Sequence, residues 1–363
     1  GWYRGNLMGG GNFYGKERAL LAQLLVEYEN GEKELIITDE SWSMFTDGPI
    51  RAADIYNGER YDARKEIANW SNADFDSDGW NKVLVNSELP FNNLVISAAP
   101  PVTAHERIKP IKLITTPKGE KVIDFGQNLV GWVNFTVNGQ AGDSLRITHA
   151  EVLDKQGNFY TENLRAAKQQ LTYILNGKGE ESYHPHFSFQ GFGYIKMEGA
   201  KEKITTDNIE AIVLHSDMAP TGTFKTSNAL INQLQHNIQW GQKGNFLDVP
   251  TDCPQRDERL GWTGDAQAFF NTAAYNMDVA GFFIKWLKDL KADQFSNGSV
   301  PHVIPYYWEG EQGGSAGWAD ASGVGSALGE GEGSSLGSGV GDAVGAGGGG
   351  SVGAGVGVGV GAG

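Results

Sequence analysis

Pro250 and Pro254 stand four residues apart in the stretch 248–267, DVPTDCPQRDERLGWTGDAQ. Each fixes its own φ, removes a backbone donor and biases the residue before it away from helix. The first half of this stretch therefore cannot be a helix interior. Within the eighteen positions from Asp248 to Asp265 lie Asp248, Asp252, Asp257, Glu258 and Asp265, interleaved with Arg256, Arg259 and Trp262. Crowded carboxylates raise one another's cost of ionisation, so a chain does not gather them in a loop without cause. Gly261 and Gly264 add backbone freedom around the tryptophan, and from Asp265 onward the pattern turns helical. The expectation is a rigid acidic loop feeding a helix N-terminus, read either as a solvated turn or as a chemical site.

The loop lies within a helical region that follows a long β-rich one. The run 20–28, LLAQLLVEY, reads as a buried strand. Asn30-Gly31 reads as a turn and Glu34–Thr38 as the returning strand of a hairpin. The segment 46–64 shows turns but little periodicity and reads as a long loop or irregular edge. Its Asp47, Asp54 and Asp62 fit no EF-hand spacing; a structural calcium there is a secondary expectation beside the plainer solvated loop. Strands at Trp80–Val85 and Leu94–Ala98 complete the first unit, and Pro100-Pro101 marks a boundary. Short strands then recur with turns between them: 111–116, 121–125, 133–137, 145–149, 171–175, 183–189, 194–198 and 209–215. That alternation predicts an antiparallel sandwich. His184 and His186 fall on one strand face; with no third ligand nearby, they read as strand surface before metal pair.

Near Thr221 the period changes. Ser227 is a candidate N-cap, and Leu230, Leu234 and Ile238 step by four, predicting an amphipathic helix over 228–242. A second helix is expected over 265–277. Asp278 caps a third, whose apolar stripe is Val279, Phe283, Trp286 and Leu290. Residues 300–318 read as a loop rich in proline, glycine and aromatics. Residues 322–363 are glycine-rich with no aromatic and no cation. Literally that is a flexible tail. The preferred expectation is a placeholder for unidentified barrel residues, with a helical backbone.

Composition narrows the function classes. With 363 residues, two or three domains are expected. Lys+Arg 29 against Asp+Glu 44 gives −15, which argues against a nucleic-acid partner. The single cysteine, Cys253, excludes an internal disulfide and a cysteine-cluster metal site. It reads as a small packing residue, because no histidine lies near it in sequence. No apolar run of about eighteen residues appears, so no membrane span is expected. No signal peptide is visible, and the start at Gly1 without an initiator methionine leads us to expect a missing N-terminus.

Several motifs, in order, resemble bacterial α-L-rhamnosidases. NFYGKERALLAQL and GPIRAADIYNGERYDAR look like that family's N-terminal β-domain. VIDFGQNLVGWV, HAEVLD, YTENLR and FSFQGFGY look like its second β-domain. GNFLDVPTDCPQRDERLGWTGDAQ is similar to the opening of its catalytic domain, and GWADA, at 317–321, to a later active-site loop. The resemblance implies two antiparallel β-sandwich domains, 1–99 and 100–218, followed by an incompletely sequenced six-hairpin (α/α) barrel beginning at 219 and readable to 321. It implies removal of terminal α-L-rhamnose with inversion, no required cofactor, a rhamnose-containing glycoside or oligosaccharide as partner, and leaves a homo-oligomer open. Glu258 matches the general acid. Asp252, Arg256 and Asp265 match residues that bind sugar hydroxyls, and Trp262 and Trp318 match walls of the sugar site. Asp320 supports that site or merely caps its loop. The base lies outside the readable sequence. Neighbouring Asp252, Asp257 and Asp265 are expected to keep Glu258 protonated, while Arg256 turns to substrate or to an aspartate. Two other classes stay open. One is a different enzyme on the same barrel, an inverting glycosidase or a lyase with a tyrosine or histidine base. The other is a non-catalytic carbohydrate-binding protein.

Overall fold

A computed structural model describes residues 19–86, 88, 94–199, 205–308, 310 and 313–315. The expectations for Trp318, Asp320 and residues 322–363 lie outside the described residues. The chain forms two units: Gly1–Asp217 with Phe224–Arg259, and Met218–Thr223 with Leu260–Gly363.

The first unit contains strands β1 (Gln23–Glu27), β2 (Lys33–Ile37), β3 (Ser43–Met44), β4 (Ile50–Asp54), β5 (Gly58–Asp62), β6 (Asn81–Lys82), β7 (Val102–Ile108) and β8 (Lys112–Thr115). It continues with β9 (Lys121–Val137), β10 (Ser144–Ala150), β11 (Gln170–Ile174), β12 (Glu181–Tyr183), β13 (Gln190–Glu198) and β14 (Ile209–Ser216). Helix α1 (Ala229–Asn245) and the short strands β15 (Phe246–Leu247) and β16 (Val249–Pro250) complete it. Ten strands share one sheet in the order β4-β5-β11-β10-β13-β9-β14-β7, with β8 and β12 also paired to β9. Strand β9 fuses two expected strands. Its first part pairs with β8 and β13, and its last part with β12 and β14. Alternating residues of these strands meet in one core that includes Phe125, Phe135, Ile147, Leu171, Phe192 and Val213.

Strands from both sides of Pro100-Pro101 share this sheet. Of the two expectations for 46–64, the irregular edge holds and the long loop does not: the segment forms the hairpin β4–β5, with β4 at the sheet's edge and a register shift between Ile50 and Ala52, and β5 joins β11 as a parallel neighbour in an otherwise antiparallel sheet. The strand β5 was hidden because two of its charged residues, Glu59 and Asp62, are buried. Glu59, 2% exposed, accepts the backbone N–H groups of His186 and Phe187 and the hydroxyl of Tyr183. Asp54 accepts the N–H groups of Tyr56 and Asn57, which closes the turn. Asp62 holds Arg64, and Asp47 pairs with Arg51 and Lys65. Each of the three aspartates considered for calcium is thus tied to its own local partner. The β1–β2 hairpin forms as expected, but its leucines are exposed rather than buried, Leu24 at 57% and Leu25 at 58%. Among the described residues it pairs only with itself. Residues 94–98 form no strand. His184 and His186 follow β12, with rings 5.3 Å apart, and His184 stacks on Trp132.

The N-cap of α1 is Asn228, not Ser227. Its side chain accepts the N–H groups of Leu230 and Ile231. The expected apolar stripe does not bury: Leu230 is 81% and Leu234 58% exposed. The helix is instead buried near its C-terminal end, at Gln242 and Gly244. In the second unit α2 (Thr263–Asn276) and α3 (Ala280–Asp293) pack around Phe270, Phe282, Phe283 and Trp286. Asp278 accepts the Ala280 N–H at the start of α3, and the stripe Val279, Phe283, Trp286, Leu290 is buried as expected.

Gly58 has φ +92, and a Cβ there would fall 1.9 Å from the Gln170 carbonyl oxygen. The β5–β11 pairing therefore requires glycine. Gly58→Ala is expected to destabilise the protein by about 3 kcal/mol or more, read as a lower denaturation midpoint in urea.

Candidate active site

The acidic loop begins at a tight turn. β15 pairs with β16 around Asp248, whose φ is +66 and whose N–H donates to Ser216 Oγ. Thr251 Oγ1 then donates to the Asn245 carbonyl, and Pro254 and Gln255 lie close against Gly191 of β13. A Cβ on Gly191 would sit 3.1 Å from that of Gln255, so the loop presses onto the sheet backbone. Gln255 Nε2 donates to Glu151 Oε2 at 2.7 Å.

Arg259 anchors the loop's end. It is 3% exposed with φ +55. Its acceptors are uncharged oxygens: the Phe189 carbonyl at 3.0 Å, Gln169 Oε1, Gln190 Oε1 and the Gln255 carbonyl. The guanidinium also lies over the rings of Tyr56 and Phe189, 5.4 and 5.2 Å from their centroids. Nε has no acceptor among the described residues. Burial lowers its pKa to about 10, still well above neutrality, so it stays charged. His149 sits in the same buried cluster. Its ring Nδ1 lies 2.8 Å from the Gln169 carbonyl, and burial, with the charge of Arg259 adding, pushes its pKa down to about 4.

The carboxylates follow from this anchor. Glu258 is 7% and Asp257 4% exposed. The Tyr56 hydroxyl donates to the Glu258 carbonyl at 2.9 Å. Arg256 donates through Nε to Glu258 Oε2 at 2.8 Å and through Nη2 to Asp252 Oδ2 at 3.1 Å. Arg165, from the segment before β11, donates through Nη2 to the same Glu258 oxygen at 2.6 Å. Its Nε lies 2.9 Å from Asp257 Oδ1, a charge contact rather than an aligned hydrogen bond. Asp252, Arg256 and Glu258 thus come together as expected.

The expected electrostatics are overturned. Burial pushes the Glu258 carboxyl up, but hydrogen bonds from Arg165 and Arg256 and their charges more than offset it, holding the group below the ordinary carboxylate value. Its nearest charges are cations, not the crowded acids, and Arg256 reaches Glu258 as well as an aspartate. Cys253 is buried, and burial together with the charge of Asp252 pushes its thiol up to about 12. One donor atom each of Asp252, Cys253 and Glu258 lies within 4.8 Å of the others. A thiol protonated at neutral pH and two carboxylates engaged by arginines make a poor metal site.

In the second unit, Trp262 occupies the N-cap position of α2 and Asp265 its exposed first turn, where the helix dipole favours a carboxylate. The Trp262 ring meets His302 at 6.3 Å and Trp308 at 6.2 Å. Sequence reasoning gave no role to Arg165, Tyr56 or the histidine and tryptophan beside Trp262. Arg165 ends the YTENLR motif and Tyr56 lies in DIYNGERYD, so both were inside quoted segments. Only the fold brings them to Glu258.

Comparison with known proteins agrees with this architecture. Residues 1–106 match the α-L-rhamnosidase N-terminal domain, 114–215 the bacterial α-L-rhamnosidase concanavalin-like domain, and 219–325 the bacterial α-L-rhamnosidase six-hairpin glycosidase domain. An α-L-rhamnosidase of Streptomyces avermitilis is 46% identical over 325 residues, covering 88% of this chain and 31% of that protein. One from Formosa agariphila is 37% identical, with 88% and 35% covered. The native α-L-rhamnosidase structure from Aspergillus terreus superposes with a TM-score of 0.85 at 41% identity, covering 88% of this chain and 38% of that one. The Streptomyces avermitilis enzyme complexed with L-rhamnose gives 0.82 at 44%, covering 87% and 30%. All three matched models are α-L-rhamnosidase domains. The chain belongs to the bacterial α-L-rhamnosidase family, and it spans about a third of the length of the relatives it matches.

The buried cluster generates a pH dependence. The His149 pKa is depressed in the fold, from 6.5 to about 4. Between these values the unfolded chain binds more protons, so stability falls as pH falls from about 6.5 to about 4, by about 3 kcal/mol from this group. His149→Asn keeps a donor for the Gln169 carbonyl but does not titrate. Denaturant unfolding across that range should show a shallower slope in H149N than in the native protein.

Proposed function

We propose that the protein hydrolyses terminal non-reducing α-L-rhamnose from glycosides or polysaccharides, with inversion, using Glu258 as proton donor. The observation that carries this reading is the buried Glu258 carboxyl sharing one guanidinium, that of Arg256, with Asp252. A carboxylate and an arginine so held suit a sugar's adjacent hydroxyls, which donate charge-assisted hydrogen bonds to the carboxylate and accept them from the guanidinium. Family membership and the rhamnose-complexed relative support the same substrate.

In an inverting hydrolysis the Glu258 proton moves to the glycosidic oxygen as the bond from that oxygen to the anomeric carbon breaks. The bonding pair leaves with the oxygen. A water, deprotonated by a second carboxylate about 6.5–9.5 Å from the first, attacks the opposite face. For this, Glu258 must hold a proton that Arg165 and Arg256 disfavour. Sugar hydroxyls offer Arg256 other acceptors, and a bound sugar excludes water from the carboxyl; both raise its proton affinity. Trp262 and Asp265 serve the sugar in this reading, Trp262 through its ring face and Asp265 through hydroxyls; Trp318 and Asp320 complete the assignment.

One observation favours a second reading. A glutamate held below its ordinary pKa suits a site that only binds sugar. Glu258→Gln separates the two. If Glu258 is the acid, the substitution lowers kcat by about 100- to 10,000-fold on a rhamnoside with an alkyl leaving group, less on a nitrophenyl rhamnoside, and leaves L-rhamnose binding within a few-fold. No release of rhamnose by the native full-length protein would leave binding alone.

A further inference from the structure

We propose that Arg165, placed by the β-sheet unit against the Glu258 and Asp257 side chains, is the positioning residue that orients the proton donor and tunes its acidity. This rests on the rhamnosidase reading for its catalytic meaning, though not for its test. The reasoning begins with the backbone. Arg165 ends a short 3-10 turn, Glu162–Leu164, with φ +56 and ψ −115, a conformation that costs a non-glycine residue of order 1–3 kcal/mol. The turn is pinned: Leu164 is 1% exposed and packs with Tyr56 and Ala167. The fold thus pays a local conformational cost at a side chain that is itself about 39% exposed, yet reaches two buried carboxylates.

Strain of this kind clusters around the site. The described non-glycine residues with positive φ are Asn69, Arg165, Gln169, Asp248 and Arg259. Apart from Asn69, each belongs to the acidic loop or contacts it through a side chain. Tyr56, from the same packed group as Leu164, donates to the Glu258 carbonyl. The sheet unit therefore holds Glu258 at two points, one on the backbone and one on the carboxyl.

The two arginines differ in what they can do during a turnover. Arg256 lies on the loop itself and also serves Asp252, so a sugar competes for it. Among the described residues, the ion contacts of Arg165 are to the neighbouring acids Asp257 and Glu258. Among the described residues, the charged and titratable groups near Glu258 include Arg165, Arg256, Asp252, Asp257 and the Cys253 thiol, with buried Arg259 next along the chain. When Arg256 turns to substrate, Arg165 remains as the cation that orients the carboxyl and sets its proton affinity. The concanavalin-like domain then supplies part of the catalytic machinery.

The test is a carbon-13 NMR titration of glutamate side-chain carboxyls in the native protein, R165M and R165K, with the Glu258 signal assigned by its loss in E258Q. The expected result is a Glu258 midpoint higher in R165M than in the native protein, and returned toward the native value in R165K. In parallel, the alkaline limb of kcat/KM on a rhamnoside should move to higher pH in R165M. Its kcat should fall about 10- to 100-fold, with KM within about threefold. A midpoint in R165M equal to the native one overturns the proposal. If R165M does not fold, R165Q against R165K gives the same comparison. A shifted midpoint in a protein that releases no rhamnose overturns the rhamnosidase reading and leaves the positioning role standing; rhamnose release with an unshifted midpoint does the reverse.

Discussion

The site depends on one buried cation. Arg259 is removed from water and answered by carbonyl and amide oxygens and two aromatic faces rather than by an ion pair. Burying a guanidinium is costly, and the cost is met only if nearly every N–H finds an acceptor in a fixed place. That requirement orders Gln169, Gln190 and the loop carbonyl of Gln255 together. The residue before Arg259 is Glu258, so fixing the arginine backbone at φ +55 fixes where the acid projects. A flexible loop with the same carboxylates would carry the same charges but not a defined geometry.

Segments far apart in sequence converge on this point. DIYNGERYD gives Tyr56, HAEVLD gives His149 and Glu151, YTENLR gives Arg165, and FSFQGFGY gives Phe189, Gln190 and the glycine onto which the loop packs. The sheet's register explains the convergence. β13 pairs with both β10 and β9, and β11 lies on the other side of β10, so their ends offer side chains to the same loop. The polar residues there are buried and bond to backbone groups and to one another: His149 meets the Gln169 carbonyl, Gln169 exchanges bonds with the Gly191 backbone, and Arg259 reaches both Gln169 and Gln190. Such a network favours one conformation. The β-sheet unit therefore supports the Glu258 backbone and carboxyl.

Much of this was legible in the chain itself. Period-two alternation located most strands of the main sheet, and the fourfold steps at Val279, Phe283, Trp286 and Leu290 located a buried helix face. Pro250 and Pro254 marked the loop. What failed did so for physical reasons. Strand β5 carries Glu59 and Asp62, whose burial against backbone donors no hydropathy pattern reveals. The α1 stripe is exposed because the pattern shows an apolar face but not what covers it. The sign of the shift on Glu258 was misread because sequence neighbours were taken for spatial ones. Arg165 lies 93 residues away in the chain but 2.6 Å away in space.

Hydrogen exchange on Arg259→Lys tests the central dependence most directly, since lysine keeps the charge but cannot span acceptors on several sides. The account predicts that backbone amides across 252–259 exchange at least about tenfold faster than in the native protein, while β9 and β13 keep their protection. Unchanged protection of the loop in the lysine variant would contradict it.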